Sequence, residues 1–182
     1  LTGASRGIGR ALARALPASM HVHAIARDAA ALGDLARERP NTTTHILDLA
    51  SRRDATHLGT ALATGVEGPI TLVHAAGIWP SRCELVDGLE RAFLVNCLSP
   101  LALQQPLLQS GKLSRVLAVG AGLMIKGAFD AERTPVGADF SWFRTYCSTK
   151  LAFACAMRDI AREHRSLDVA VVHPGVVRTD LG

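Results

Sequence analysis

Short apolar runs alternate with helix-like segments along most of the chain. The apolar runs have the length of strands and cover 20–26, 43–49, 70–76, 114–120 and 168–173. The segments between them repeat apolar side chains at three- and four-residue steps, and they cover 7–16, 28–38, 52–64, 84–109 and 142–165. Strands separated by helices of ten or more residues are typical of crossover connections. The pattern therefore predicts an α/β protein with a mostly parallel sheet.

Prolines and glycines modify this pattern in three places. Pro100 and Pro106 predict bends in the long helical segment 84–109. The region 122–141 combines Gly, Pro and polar residues, and it predicts a loop long enough to border a site. A Pro-Gly turn at 174–175 ends the last predicted strand.

The composition excludes several classes of protein. The 182 residues are 48% hydrophobic and 20% charged with a formal net charge of +4, which is an ordinary balance for one globular domain. The arginines are scattered and form no basic block, so we expect no nucleic-acid partner. No apolar run has the length of a membrane span, and the four cysteines show no paired metal spacing. We therefore expect a cytoplasmic protein with free thiols and neither a membrane partner nor a metal.

A glycine-rich turn precedes the first predicted helix. It reads Thr2-Gly3-x-x-x-Gly7-x-Gly9 and stands at a strand-to-helix junction. Glycines at such a junction let the backbone approach a pyrophosphate, and the free N–H groups of the helix N-terminus attract the anion. The alternative is a plain turn, but the position at the first junction of an alternating α/β chain favours a dinucleotide site.

Arg27 directly follows the predicted strand 20–26, at the position where an NAD-binding fold usually places an acidic residue. An arginine there suits a 2′-phosphate, which it can hold with two parallel hydrogen bonds. Arg6 in the glycine turn could assist. The alternative is a solvated arginine beside Asp28, an acidic residue that leaves room for NAD.

Tyr146 and Lys150 are four residues apart on a predicted helix and therefore share one of its faces. A free phenol has a pKa of about 10, and a neighbouring ammonium would lower that pKa toward neutrality. The pair could then exchange a proton with a substrate. Taken alone, the spacing also arises by chance in helices.

Several motifs occur together in one order. They are Thr2-Gly3-Ala4-Ser5-Arg6-Gly7-Ile8-Gly9, Asp48-Leu49, Ala76-Gly77, Asn96, Tyr146-x-x-x-Lys150 and Pro174-Gly175-x-x-x-Thr179. In this order and spacing the set resembles the short-chain dehydrogenase/reductases over essentially the whole chain. Each motif alone is unspecific, whereas the combination is specific.

The resemblance implies a role for each matched position. It makes Tyr146 the general acid/base, Lys150 the group that lowers its pKa and holds the nicotinamide ribose, and Asn96 the support of a water chain to the lysine. It places adenine near Asp48, and the nicotinamide carboxamide near the Pro-Gly turn. The implied cofactor-binding set is Gly3, Ser5, Arg6, Gly7, Ile8, Gly9, Arg27, Asp48, Leu49, Ala76, Gly77, Tyr146, Lys150, Pro174, Gly175, Val177 and Thr179.

The resemblance also implies a fold, a three-layer doubly wound parallel sheet of the Rossmann type with a central first strand. That strand is largely missing before Gly3, the chain begins with Leu1 rather than Met, and it ends at Gly182 soon after the Pro-Gly turn. We therefore expect one dinucleotide-binding and catalytic domain over 1–182, cut from a longer protein. A fragment that does not fold alone is the alternative.

The leading hypothesis is an NADP(H)-dependent oxidoreductase that interconverts the carbonyl and alcohol forms of a small molecule, with NAD as the less favoured cofactor. The family resemblance also implies a homodimer or homotetramer formed through the helices in 84–109 and 142–165. Trp79 and Trp142 fall near the expected cofactor and substrate side, where they could line a pocket or simply pack.

One departure from the family pattern bears on activity. Ala121 stands where the family usually has a serine that hydrogen-bonds the substrate oxygen. Loss of such a donor costs about 10²–10³ in rate. Ser141, Thr134 or the phenol of Tyr146 could replace it. The alternative is a weak or inactive NAD(P)-binding protein that acts as a sensor or an oligomer partner. A second departure, His74, is interpreted as an ordinary strand residue.

Overall fold

A computed structural model describes residues 1–177 of the chain. The first half contains α1 (Gly7–Ala15), β1 (Val22–Ala26), α2 (Ala29–Glu38), β2 (Thr42–Ile46), α3 (Arg52–Gly65) and β3 (Ile70–His74). The second half contains β4 (Leu85–Val86), β5 (Leu89–Glu90), α4 (Arg91–Phe93), a π-helical segment (Leu94–Leu98), α5 (Ser99–Gln109), β6 (Leu113–Val119), a 3₁₀ helix (Gly122–Lys126), α6 (Trp142–Glu163) and β7 (Asp168–Val172).

The main sheet is parallel and is joined at its centre by the first two residues. β1 pairs with β2, and β3, β6 and β7 pair in that order, all in parallel. Thr2 forms parallel bridges to Ile25 of β1 and His74 of β3, and its N–H donates to the Val73 carbonyl at 2.9 Å. The order is therefore β2-β1-(Thr2)-β3-β6-β7, which confirms the doubly wound sheet and its short central first strand.

Helices cover both faces of the sheet, as the three-layer prediction requires. Ile25 and Leu72 pack on one face against the side of α3, α5 and α6, where Leu103 and Met157 are fully buried. Ala24 lies in a second cluster with residues of α1 and α2. Adjacent strand residues thus enter opposite layers, because side chains alternate across a strand.

The segment 84–90 corrects the helix predicted there. β4 and β5 form an antiparallel hairpin, and its turn uses Asp87 and Gly88 at φ 50° and 78°. An Asp-Gly pair is a strong hairpin signal, because both residues accept the positive φ of such a turn. The structure also places the Gly122–Lys126 3₁₀ helix inside the region predicted as a loop.

The helical part of that segment tolerates its prolines. Pro100 lies in the first turn of α5, where a missing N–H removes no intrahelical bond, and Pro106 lies inside α5. The regular α-helix is interrupted instead by the π-helical segment, whose wider turn lies just before α5. Such π-bulges are frequent at functional sites, and this one contains Asn96.

Gly59 is a strict packing requirement between α3 and α5. A Cβ at this position would overlap the backbone carbonyl oxygen of Leu103, whereas a Cβ at Gly65 on the same helix would meet nothing within 4 Å. We expect Gly59→Ala to lower the free energy of unfolding by about 1–3 kcal/mol, since the backbones must separate. Gly65→Ala is the matched control and should be neutral or stabilising by up to about 1 kcal/mol. Urea denaturation measures both, and equal stability of the two variants would contradict the packing.

Candidate active site

A cavity of about 510 Å³ opens where the parallel strands end. The residues that follow each strand of the main sheet line this cavity, and so do the residues that follow Thr2. The wall includes Gly3, Ser5–Ile8, Ala26–Arg27, Leu47–Leu49, Ala75–Trp79, Val119–Leu123 and His173–Val177, together with Tyr146 and Lys150. Ligands of open α/β sheets bind at this carboxyl edge, near the point where the strand order reverses.

The glycine turn has the geometry of a phosphate cradle. Gly3 has φ 73°, and a Cβ there would lie 2.8 Å from the amide nitrogen of Ala76. A Cβ on Gly9 would overlap the carbonyl of Gly3, so Gly9 lies behind the cavity and lets α1 approach the turn. Arg6, the N-cap residue of α1, makes no side-chain cap hydrogen bond. The first N–H groups of α1 can therefore serve an anion, and the residues fit a dinucleotide pyrophosphate.

Arg27 lies at the edge of the cavity near Asp48. Its guanidinium is 3.9 Å from a carboxylate oxygen of Asp48, and the Arg27 side chain is half exposed. Asp48 also lies 3.4 Å from Arg91 and accepts a 2.9 Å hydrogen bond from the Ala50 N–H. A long, exposed ion pair of this kind contributes little stability, so the Arg27 side chain is available to a phosphate.

Tyr146 and Lys150 face the same cavity from α6. Tyr146 is buried, and its ring stacks on Trp79 with centroids 4.2 Å apart and planes 13° apart. Lys150 is also buried, and its Nζ donates to the Val119 carbonyl at 3.1 Å. The helical spacing predicted this shared face correctly.

Burial determines the protonation of both groups. It raises the pKa of Tyr146, an effect to which the neighbouring Cys147 adds. Burial also lowers the pKa of Lys150 to about 8. This direction is opposite to the lowering expected from a neighbouring ammonium, and its largest cause is the desolvation of the buried phenol. Tyr146 is consequently held as the neutral phenol at physiological pH.

Asn96 lies behind the cavity wall in the π-helical segment. Its Oδ1 accepts from the Ile78 N–H at 2.8 Å, and its Nδ2 donates to the Ile78 carbonyl at 2.9 Å and to Thr149 Oγ1 at 3.1 Å. A Cβ on Gly77 would lie 3.1 Å from Lys150 Nζ and 3.4 Å from Asn96 Oδ1. Gly77 thus allows the amide and the ammonium to lie close together, and Asn96 fixes the wall between them.

The remaining predicted cofactor residues divide into three groups. Leu49, Ala76, Pro174, Gly175 and Val177 line the cavity with the glycine-turn residues Gly3, Ser5, Arg6, Gly7 and Ile8. Gly9 supports the wall from behind, as does Asn96, which was predicted as a catalytic residue. Thr179 lies outside the described residues.

Of the three groups proposed to replace the missing serine, the phenol of Tyr146 lines the cavity, whereas the hydroxyls of Thr134 and Ser141 do not. Ala121 is buried in the same small cluster as Tyr146. Thr134 is buried and donates to Asp139 at 2.8 Å, and Ser141 forms the N-cap of α6. Neither is part of the described wall.

Two cavity residues carry chemistry that the sequence pattern left unassigned. Trp79 stacks on the Tyr146 ring, while Trp142 is 58% exposed and contacts the rings of Trp79 and Phe143. His173 precedes the Pro-Gly turn and accepts a 3.0 Å hydrogen bond from the Gly122 N–H at Nδ1. Its position before Pro174 was the only signal in the sequence.

Within residues 1–177, no group of three or more His, Cys, Asp and Glu side chains is placed to hold a metal ion. His23 Nδ1 and His45 Nε2 lie 3.0 Å apart and form a pair with each other. None of the described helices has the length and apolar character needed to cross a bilayer.

Comparison with known proteins identifies relatives of the chain. A family model described as short chain dehydrogenase matches residues 1–182. The chain is 34% identical to D-erythrulose reductase of Gallus gallus and 31% identical to retinol dehydrogenase 14 of Homo sapiens. Each alignment includes the whole chain, which spans 72% of the length of the first relative and 62% of the second. A solved short-chain dehydrogenase from Streptomyces avermitilis superposes with a TM-score of 0.75 at 25% identity, covering 100% of this chain and 66% of that one.

Proposed function

The chain belongs to the short-chain dehydrogenase/reductase family of NAD(P)-dependent oxidoreductases, and from that premise we propose that it interconverts a carbonyl and an alcohol with NADP(H). The observation that carries the proposal is the meeting of the Tyr146–Lys150 pair and the glycine turn in one cavity. A dinucleotide site and a proton donor are the two parts that this reaction requires.

The dinucleotide would be held by the glycine turn at its pyrophosphate, by Arg27 and Arg6 at a 2′-phosphate, and by the Pro174-Gly175 turn at its nicotinamide end. When bound, the nicotinamide supplies or accepts a hydride at the substrate carbon. Asp48 and Leu49 would border the adenine. Arg27 carries the preference for NADP(H), because its exposed guanidinium can leave Asp48 for a phosphate.

Tyr146 would act as the general acid in the direction of reduction. Its raised pKa keeps the proton on the phenol until the carbonyl oxygen becomes negative. Lys150, with a pKa of about 8, can then return a proton to the phenolate near neutral pH. Asn96 would hold the Ile78 backbone and thereby the lysine side of the cavity in place.

Fluorescence titration tests the cofactor proposal, because Trp79 lines the cavity. A Trp142→Phe background leaves Trp79 as the sole tryptophan. We expect NADPH to bind about 10- to 100-fold more tightly than NADH, since a charged hydrogen bond is worth about 1.5–3 kcal/mol. Arg27→Ala should remove most of that difference and leave NADH affinity unchanged. The distant, exposed Arg37→Ala is the control, and tighter binding of NADH by the parent protein would refute the assignment.

The substrate proposals follow from the relatives. D-erythrulose and retinal, the carbonyl forms suggested by a D-erythrulose reductase and a retinol dehydrogenase, form a first panel for NADPH-dependent reduction by the full-length protein. They differ in polarity, so the panel also reports which kind of carbonyl the cavity accepts. A homodimer or homotetramer and a cytoplasmic location remain predictions, and sedimentation velocity tests the first.

Ala121 supports a second candidate, an NAD(P)-binding protein with little catalysis. Ala121→Ser distinguishes the two. A gain of about 10²–10³-fold in kcat would indicate a decayed enzyme. If the parent protein turns over and Ala121→Ser adds little to kcat, the protein is an enzyme in which another group hydrogen-bonds the substrate oxygen.

A further inference from the structure

We propose that His173 is a catalytic residue that donates a hydrogen bond from Nε2–H to the substrate oxygen, in place of the missing serine at position 121. The inference rests on the proposed carbonyl–alcohol chemistry and assigns the oxyanion donor of the same site. Its basis is the position of His173 in the cavity, its contact with Gly122 and the absence of a hydroxyl at Ala121.

The sheet places His173 beside Ala121, the position that lacks the serine. β6 and β7 pair in parallel with Val119 opposite Val172, and the Gly120 N–H donates to the Val172 carbonyl at 2.9 Å. The chain leaves β7 at His173 and leaves β6 at Gly120-Ala121-Gly122, so the two strand ends are adjacent. Ala121 packs on Tyr146, and His173 lines the same cavity as both.

The Gly122 backbone determines the tautomer of the ring. Its N–H donates to His173 Nδ1 at 3.0 Å, which requires a lone pair on Nδ1. A neutral imidazole with an accepting Nδ1 carries its hydrogen on Nε2. The ring thus keeps one donor, and that donor is not used by the hydrogen bond that positions the ring.

Gly122 also provides the space that the ring occupies. A Cβ at this position would lie 2.7 Å from His173 Nε2 and 3.1 Å from Cδ2 and Cε1. Any larger residue would displace the imidazole. The end of β6 therefore has two adjacent features. Ala121 supplies no hydroxyl, and Gly122 leaves the space that the His173 imidazole occupies.

Other polar side chains of the described cavity are less suitable. Ser5, Arg6, Arg27 and Asp48 belong to the glycine turn and the ends of β1 and β2, on the dinucleotide side. Trp79 has its ring face stacked on the Tyr146 ring. His173 is on the β6–β7 side with Ala121, where the family places its serine.

The role of His173 involves no net proton transfer. During reduction the carbonyl carbon gains the hydride, the C=O π electrons move to oxygen, and that oxygen takes the Tyr146 proton. Lys150 returns a proton to the phenolate and is itself reprotonated from solvent. His173 keeps its proton throughout and stabilises the developing negative charge by hydrogen bonding.

Matched substitutions separate this role from simple positioning. His173→Asn keeps an acceptor at the place of Nδ1 for Gly122 but has no donor at the distance of Nε2. His173→Gln restores an N–H near Nε2. We expect His173→Asn to lower kcat for the better panel substrate by about 10²–10³-fold, and His173→Gln to recover much of it. Ala121→Ser should add little to the parent protein but should rescue His173→Asn, and NADPH affinity should stay constant throughout.

Three results would overturn the proposal. One is parent-like turnover in His173→Asn. A second is an equal loss in the Asn and Gln variants accompanied by weaker NADPH binding, because His173 would then hold the cofactor turn. The third is an inactive parent protein that gains activity only with Ala121→Ser. Inactivity of both the parent and Ala121→Ser would instead refute the proposed function, and the oxyanion role with it.

Nitrogen NMR supplies a readout that does not depend on turnover. Long-range ¹H–¹⁵N correlations of the histidine rings, assigned by comparison with His173→Asn, should show Nε2 protonated and Nδ1 unprotonated near pH 8. Gly122→Ala should disturb this pattern. Protonation of Nδ1 in the parent protein would remove the Nε2–H donor and overturn the proposal even in an active enzyme.

Discussion

Tyr146→Phe is expected to lower kcat by about 10²–10⁴-fold while NADPH affinity stays within about threefold of the parent value. The variant removes only the phenolic oxygen, which would supply the proton, and it keeps a six-membered ring for the stack on Trp79. Single-turnover consumption of NADPH with D-erythrulose or retinal measures the chemical step, and the fluorescence titration measures the affinity.

Cys147→Ala is the matched control for Tyr146→Phe. Cys147 follows Tyr146 on α6 and is fully buried in the same small cluster, but it does not line the cavity. It should alter stability without a large change in kcat. If Tyr146→Phe kept more than about a tenth of the parent activity, the proton would come from another group and the proposed mechanism would be wrong.

Lys150→Met is expected to stabilise the protein and to impair catalysis. Burial lowers the pKa of Lys150 from 10.5 to about 8, which corresponds to a penalty of about 3 kcal/mol for the charged form at neutral pH. Methionine fills a similar volume without a charge. Because the hydrogen bond to the Val119 carbonyl is lost, the net gain should be about 1–3 kcal/mol. We expect kcat to fall by at least about 10²-fold, since the phenolate would lose its proton source.

The stability difference between Lys150→Met and the parent should depend on pH. Between pH 8 and 10.5 the folded parent releases the Lys150 proton while its unfolded chain retains it. The unfolded state then binds more protons, so parent stability rises with pH through this window and the advantage of methionine shrinks. Urea denaturation at pH 7 and pH 9.5 measures the change, with the exposed Lys126→Met as control. A less stable Lys150→Met protein at pH 7 would show that the ammonium contributes more than its burial costs.

The local parts of the fold were predictable because they follow from periodicity. The helical period of 3.6 residues per turn was enough to predict helix α6 and the shared face of Tyr146 and Lys150, and the structure confirms both. The Gly3–Gly9 turn was predictable because its glycines are backbone requirements, visible in the positive φ of Gly3 and the close approach of Gly9. The helix predicted over 84–109 was wrong at 84–90, where the local Asp87-Gly88 turn and a long-range bond from the Glu90 N–H to the Pro135 carbonyl stabilise a hairpin instead.

The site likewise has features that follow from local sequence and features that depend on tertiary contacts. The sequence determined the alternating α/β order, the cradle at the first strand end and the pairing of Tyr146 with Lys150, because spacing along the chain fixes each of these. Tertiary structure alone decided the direction of the Tyr146 pKa shift, since desolvation depends on neighbours as distant in sequence as Trp79. It alone placed His173 on Gly122, a contact that spans 51 residues. Such contacts leave no periodic trace, because they arise only when strands far apart in the chain pair in one sheet.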